Sequence, residues 1–150
     1  MIASAQTLRA LRPVDPFCER GVVGGMSFGL SAAGYDIRIA ETRLLYSGCF
    51  SLASSIERFK MPPNLLGIVH DKSTWARRGL AVQNTVIEPG WEGYLTLELT
   101  YHENTDDALR IEAGMPIAQI VFHILDHPTD QPYTGKYQNQ EAGPQAARLE

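Results

Sequence analysis

The sequence predicts an all-β domain, a barrel or a sandwich, with one short internal helix. Three observations predict it. Short apolar or alternating runs recur through most of the chain. Turn-forming clusters at Met61-Pro62-Pro63-Asn64, Glu88-Pro89-Gly90 and Glu112-Ala113-Gly114 separate them. Helical signal is thin. At 150 residues, 44% hydrophobic and 20% charged, the chain is long enough for one core and reads as a single globular domain over 1–150.

From the N-terminus, Thr7–Leu11 reads as a short helix stopped before Pro13. The stretch Gly21–Gly34 holds five glycines (21, 24, 25, 29 and 34) and few charges, and reads as loop. Strand-like runs follow at Tyr35–Ala40, Arg43–Tyr46, Phe50–Ser54, Leu65–His70, Leu80–Ile87, Gly93–Tyr101, Ala108–Ile111 and Ile117–Leu125. Between the fourth and fifth of these, Asp71 to Gly79 reads as a helix, with Asp71 placed to cap its first turn and Gly79 to end it. Ser73 and Arg77 stand four apart and share a helix face. In Gly93–Tyr101, Leu95, Leu97 and Leu99 point to one side; Tyr94, Thr96, Glu98 and Thr100 point to the other. A hydroxyl, a guanidinium and a carboxylate that converge make a proton-transfer site without a metal. The last stretch, 127–150, is rich in Pro, Gln, Gly and Ala. By composition it is a frayed tail; the functional reading is an arm that orders over a ligand.

Composition excludes several classes. Net charge is −4 and no basic run exceeds Arg77-Arg78, so the chain is not expected to bind nucleic acid, which needs clustered Lys or Arg. No apolar stretch reaches the roughly 18–20 residues of a membrane span, and the N-terminus lacks the charged and apolar regions of a secretory signal. Cys18 and Cys49 form no C-x-x-C pair and are expected to be reduced, in a cytoplasmic protein. The zinc deaminase signature H-x-E…P-C-x-x-C is absent, and His70, His102, His123 and His127 follow no ligand spacing, so no zinc and no protein-held metal are expected. His123 and Gln119, on a late strand, read as structural.

The string Lys72-Ser73-Thr74-Trp75-Ala76-Arg77-Arg78-Gly79-Leu80 resembles the K/R-S-S-L-A-R-x-G-L motif of the dCTP deaminases, the metal-free branch of the dUTPase/dCTP deaminase superfamily. Four further blocks are similar to that family in the same order. They are Ala33-Gly34-Tyr35-Asp36-Ile37-Arg38-Ile39, Ile87-Glu88-Pro89-Gly90-Trp91-Glu92-Gly93 leading into Leu95–Leu99, Gly114-Met115-Pro116-Ile117-Ala118-Gln119, and Pro132-Tyr133 with Lys136-Tyr137-Gln138-Asn139-Gln140. The resemblance implies a distorted dUTPase-like β-barrel assembled as a homotrimer, with sites between subunits and 127–150 as an arm closing over each. It implies hydrolytic deamination of dCTP to dUTP and ammonia. Glu98 would be the general base and acid, Ser73 would hold the attacking water or the 4-substituent, and Arg77 would polarise the site. Lys72 and Lys136, with Arg78, would meet phosphates; Thr74, Asn84, Glu88, Tyr133 and Gln140 would complete the nucleotide contacts. Mg²⁺ would accompany the triphosphate, held by phosphate oxygens and water.

Two departures bear on the base. The Leu80–Ile87 stretch is two residues shorter than the family's hairpin, and Glu88 replaces the aspartate of its I-D-P-G turn. A dUTPase or a bifunctional deaminase-dUTPase giving dUMP and pyrophosphate is the alternative, although no G-x-G-S-T-G-type tail is present. A modified cytosine nucleotide and a non-catalytic nucleotide binder are further alternatives.

Overall fold

Period-two burial organises the chain into sheets, and the all-β expectation holds. The structure, a computed structural model, describes residues 1–149. Among them are two short helices, α1 (Ala5–Leu11) and α2 (Ser73–Ala76), and the strands β1 (Val14–Asp15), β2 (Gly21–Val23), β3 (Met26–Ser31), β4 (Gly34–Arg38), β5 (Arg43–Leu45), β6 (Phe50–Lys60), β7 (Leu65–Asp71), β8 (Leu80–Val82), β9 (Val86–Ile87), β10 (Glu92–Tyr101), β11 (Leu109–Ile111) and β12 (Pro116–Ile124). Every strand pair is antiparallel. One sheet runs β1-β6-β10-β8, a second β2-β3-β4-β12-β7-β9, and β11 pairs β5 separately. A bridge between Ile39 and Ser55 ties the two larger sheets together. Their inner faces share one core, which includes Tyr35, Ile37, Phe59, Leu65, Leu97, Leu99, Ile120 and Phe122.

Three strand regions differ from expectation. Gly21–Gly34 is not loop but largely the hairpin β2–β3, in which Val23 pairs with Met26 across Gly24-Gly25. Both glycines have positive φ, 56° and 76°, as a two-residue turn matched to strand twist requires. The run Leu80–Ile87 is not one strand: β8 pairs β10 in one sheet, while β9 pairs β7 in the other. Gln83-Asn84-Thr85 makes the crossing. Finally, β6 continues past Ser54 to Lys60, carrying Glu57 into the core at 0% exposure. That carboxylate is tolerated because it accepts from the Arg38 backbone N–H at 2.9 Å and from Arg38 Nε at 2.8 Å.

The helix between β7 and β8 is also shorter than expected. Asp71 does not cap it; its carboxylate accepts the Val82 N–H at 2.7 Å, and Lys72 holds the cap position. One turn, Ser73–Ala76, is pinned by Trp75, whose buried indole donates to the Pro116 carbonyl at 2.6 Å. The chain then turns to Gly79, whose φ of +81° suits glycine.

Candidate functional site

The alternation along β10 is complete: Gly93, Leu95, Leu97, Leu99 and Tyr101 are buried, and the residues between them are half-buried. Glu98 pairs with Leu52 across the β6–β10 register and stands on the half-buried face. That face looks into a cavity of about 440 Å³. Its walls are mostly apolar, with Phe50 and Leu52 from β6, Val86 and Ile87 from β9, Trp91, and Tyr133 and Tyr137 from the C-terminal segment. Glu88, Thr96, Glu98, Gln140 and Gln145 supply its polar side chains, with Thr85 at the β8–β9 crossing.

Glu98 is the anomaly of the molecule. Its Oε2 is sealed from solvent and has no hydrogen-bond partner among the described residues. Burial raises its carboxyl above the ordinary carboxylate range, and its own backbone N–H pulls the other way. A buried oxygen left unpaired costs about 1–3 kcal/mol. A carboxyl held in this condition, in a hollow, is suited to taking up and returning a proton.

The C-terminal segment is ordered against the protein's own β10 and the turn before it. The Trp91 indole donates to the Tyr137 carbonyl at 2.7 Å, the Tyr133 N–H to the Pro89 carbonyl at 2.9 Å, and the Asn139 N–H to the Glu92 carbonyl at 2.9 Å. The Gln138 side chain accepts from the Glu92 N–H and donates to the Gly90 carbonyl. Gln140 bridges in parallel to Gly93, and its amide donates to the Tyr94 carbonyl at 2.8 Å and to Thr96 Oγ1 at 2.9 Å. Glycine is required for this approach: a Cβ on Gly90 would meet Pro132 Cβ at 2.6 Å, and one on Gly93 would meet the Gln140 nitrogen at 2.7 Å. The frayed-tail reading is therefore set aside.

The expected site residues fall into two groups. Glu98, Glu88, Tyr133 and Gln140 line this cavity together. Ser73, Thr74, Arg77 and Arg78, on α2 and the turn after it, are exposed and line none of it. Ser73 and Arg77 do share a helix face, with the Arg77 N–H donating to the Ser73 carbonyl at 3.1 Å. Lys72 is tied down: its ammonium sits 2.8 Å from Asp36, with the two side chains 11% and 9% exposed. Asn84 is exposed at the β8–β9 crossing, and Lys136 is exposed with its ammonium 5.6 Å from the Tyr137 ring centroid. No group of three or more His, Cys, Asp or Glu side chains is placed to hold a metal among the described residues.

Phe50, Leu52, Thr96 and Gln145 are cavity residues that sequence reasoning did not single out. Thr96 was within reach, since it alternates onto the Glu98 face. Phe50 and Leu52 arrive through the β6–β10 register, and Gln145 through the path of the C-terminal segment; no local pattern marks either.

The chain is similar to known proteins in sequence and in fold. The sequence profile described as dCTP deaminase-like matches residues 29–125. The dCTP deaminase of Campylobacter lari is 34% identical, over 85% of this chain and 85% of its own. That of Helicobacter pylori (strain J99) is 35% identical, again over 85% of each chain. Among solved structures, the 2′-deoxycytidine 5′-triphosphate deaminase from Agrobacterium tumefaciens superposes with a TM-score of 0.66 at 16% identity, covering 82% of this chain and 47% of that one. The native EIAV dUTPase gives 0.55 at 20% identity, covering 69% of this chain and 84% of that one. These likenesses establish a shared fold, the dUTPase-like β fold. No helix is long and apolar enough to cross a membrane among the described residues.

Proposed function

The chain belongs to the dCTP deaminase-like family, and on that premise we propose that it deaminates dCTP hydrolytically to dUTP and ammonia with Glu98 as its proton carrier. The observation that carries the reading is the buried, unpartnered Glu98 oxygen in a cavity walled by the C-terminal segment. Deamination needs water activated for attack on C4 of the cytosine, then a proton delivered to the departing amine. One carboxyl does both by taking the water's proton and returning it to nitrogen, so dCTP and water become dUTP and ammonia in balance. The burial that raises the carboxyl strengthens it as a base, which favours the first half of that cycle, uptake of the proton from water.

Ser73 and Arg77 complete the reading only if a second copy of the chain brings α2 to the Glu98 cavity. Their exposure in one chain, away from that cavity, supports a composite site in a homotrimer. Ser73 would then hold the water or the 4-substituent, and Arg77 would polarise the site. Lys136, exposed beside the cavity's Tyr137, would meet phosphate, and Arg78 and Thr74 would reach it from the neighbour. Asn84, Glu88, Tyr133 and Gln140 would meet the nucleoside. Mg²⁺ enters as part of the substrate, on the triphosphate oxygens. The free thiols of Cys18 and Cys49 support a reducing, cytoplasmic setting.

The test is product analysis after incubation with Mg²⁺ and dCTP, and separately with dUTP, for the wild type and Glu98→Gln. The expected result is dUTP from dCTP with the wild type alone, while the variant still binds dCTP. Formation of dUMP in either tube would establish the bifunctional alternative. Turnover retained by Glu98→Gln would remove the mechanism, and a monomeric mass by light scattering at micromolar concentration would remove the composite site.

A further inference from the structure

Ser55 meets the strand of Glu98 where its ladder to β6 is interrupted. The register passes from Tyr94 opposite Arg58 to Thr96 opposite Ser54, so Leu95 alone on β10 faces Ser55, Ile56 and Glu57 on β6. Those residues of β6 are drawn toward the other sheet. Ser55 bridges to Ile39, the Ala40 N–H donates to the Ser54 carbonyl at 2.8 Å, and the Glu57 carboxylate accepts from Arg38. The excursion leaves Leu95 without a ladder partner, and its N–H would be an orphaned buried donor. The Ser55 hydroxyl takes the missing place, accepting from the Leu95 N–H at 2.9 Å. Its own hydrogen goes to the Glu57 carbonyl at 2.7 Å, so the rotor is fixed from both ends. Both bonds are buried, and Ser55 is 2% exposed.

This joint divides β10 into two working halves. Before it, Glu92 to Tyr94 carry the C-terminal segment: the Asn139 N–H donates to the Glu92 carbonyl at 2.9 Å, and the Tyr94 N–H to the Gln140 carbonyl at 3.0 Å. After it, Glu98 stands in the unbroken register Thr96–Thr100, opposite Leu52. The separation and angle between Glu98 and the segment that walls its cavity therefore pass through Leu95. Interruptions of a ladder beside a site serve to re-aim side chains in this way.

Resting on the deaminase reading, we propose that Ser55 is a positioning residue for the reaction: by closing the gap at Leu95, its hydroxyl fixes Glu98 against the C-terminal segment that holds the nucleoside. Ser55 lines no part of the cavity and acts through the β10 backbone. Misplacing a proton carrier by about 1 Å costs on the order of 100-fold in rate. The segment itself keeps its place through bonds from Trp91, Glu92, Gln138 and Gln140 that Ser55 does not make. The loss of Ser55 therefore falls on kcat rather than on KM.

The experiment is steady-state kinetics and calorimetric binding with dCTP, alongside urea midpoints, for the wild type, Ser55→Ala, Ser55→Thr and Ser55→Cys. Tyr35→Phe is the stability control, since it removes a hydroxyl that accepts the Cys18 N–H and lines no part of the cavity. Ser55→Ala is expected to lower kcat about 10- to 100-fold, with KM and Kd within about 3-fold of the wild type. Ser55→Thr keeps the hydroxyl and is expected to restore most of kcat. Ser55→Cys fills nearly the same volume with a weaker acceptor and is expected to fall between them, which carries the test if Ser55→Ala does not fold. Tyr35→Phe is expected to lose stability with kcat unchanged. A kcat in Ser55→Ala and Ser55→Cys no lower than in Tyr35→Phe would overturn the proposal. So would a loss confined to KM and Kd, or Ser55→Thr as slow as Ser55→Ala. A wild type that does not deaminate dCTP would instead remove the deaminase reading, and this inference with it.

Discussion

Lys72 poses the sharpest energetic question in the molecule, because the family resemblance assigns it to phosphate while its geometry pairs it with Asp36. The ammonium and carboxylate are 2.8 Å apart, and the side chains are 11% and 9% exposed. At that separation, with an effective dielectric of about 20, the direct attraction is roughly 6 kcal/mol. Desolvating each ion costs several kcal/mol, so the pair as a whole contributes little. Breaking it is another matter, since the remaining charge stays buried alone. Lys72→Met is expected to cost about 3–5 kcal/mol of unfolding free energy. For a chain of this length that lowers Tm by about 6–20 °C. The double variant Lys72→Met/Asp36→Leu is expected to recover most of the loss, because no orphaned charge remains. Urea unfolding of the wild type, both single variants and the double variant measures the cycle, with dCTP affinity recorded on each folded protein. A Lys72→Met protein with an unchanged unfolding midpoint but lost dCTP affinity would refute the reasoning: the ammonium would then serve phosphate in solution, not Asp36.

Two further outcomes follow from named contacts. Gly93→Ala forces a Cβ to within 2.7 Å of the Gln140 nitrogen from a φ of +148°, so the C-terminal segment should undock while the core stays folded. Limited trypsin digestion is expected to cleave after Lys136 or Arg148 far faster than in the wild type, with dCTP turnover lost; an equally resistant variant would show that the approach at Gly93 is not what seats the segment. Tyr35 is held at about 12 mainly by burial, and its hydroxyl accepts the Cys18 N–H at 2.9 Å while donating to the Pro16 carbonyl at 3.2 Å. Its folded pKa is raised, so its stabilisation is complete below the ordinary value of 10.0 and is lost as pH climbs from there toward about 12. Tyr35→Phe is expected to cost about 1–3 kcal/mol at pH 8 by orphaning the Cys18 N–H. That gap should narrow between pH 10 and 12 in denaturant midpoints, and a gap that is flat with pH would contradict the assignment.

Where the chain was legible, one short-range rule carried the information; where it was not, the deciding partner lay far off. The alternation of Leu95, Leu97 and Leu99 against Thr96 and Glu98 fixed which face of β10 the carboxyl occupies, because strand side chains alternate whatever surrounds them. Gly24-Gly25 carried a hairpin signal too, but the three other glycines of the stretch outweighed it and the whole read as loop. Gln83-Asn84-Thr85 contains neither Gly nor Pro, so nothing local announced that the chain leaves one sheet for the other there. Asp71 looked like a helix cap because helix starts favour aspartate; the Val82 N–H, eleven residues on, claims it instead. Lys72 is held by a carboxylate thirty-six residues before it, which no spacing rule reaches.

The same logic explains the division of the candidate site. Glu98, Tyr133 and Gln140 meet because β10 and the returning C-terminal segment pair locally through Gly93, a contact that the glycine permits and the flanking residues bond. Ser73 and Arg77 sit on a helix turn whose inward anchor is Trp75, bound to Pro116 on β12, in the other sheet from β10. With Trp75 pointing into the core, the Ser73–Arg77 face must point out, so within one chain it faces away from the packing that Trp75 makes. A guanidinium and a hydroxyl presented outward, and a carboxyl oxygen left unpaired inward, are complementary deficits on two surfaces of the same chain. A second copy that brings α2 to the cavity would satisfy both at once, which is the physical basis of the proposed composite site.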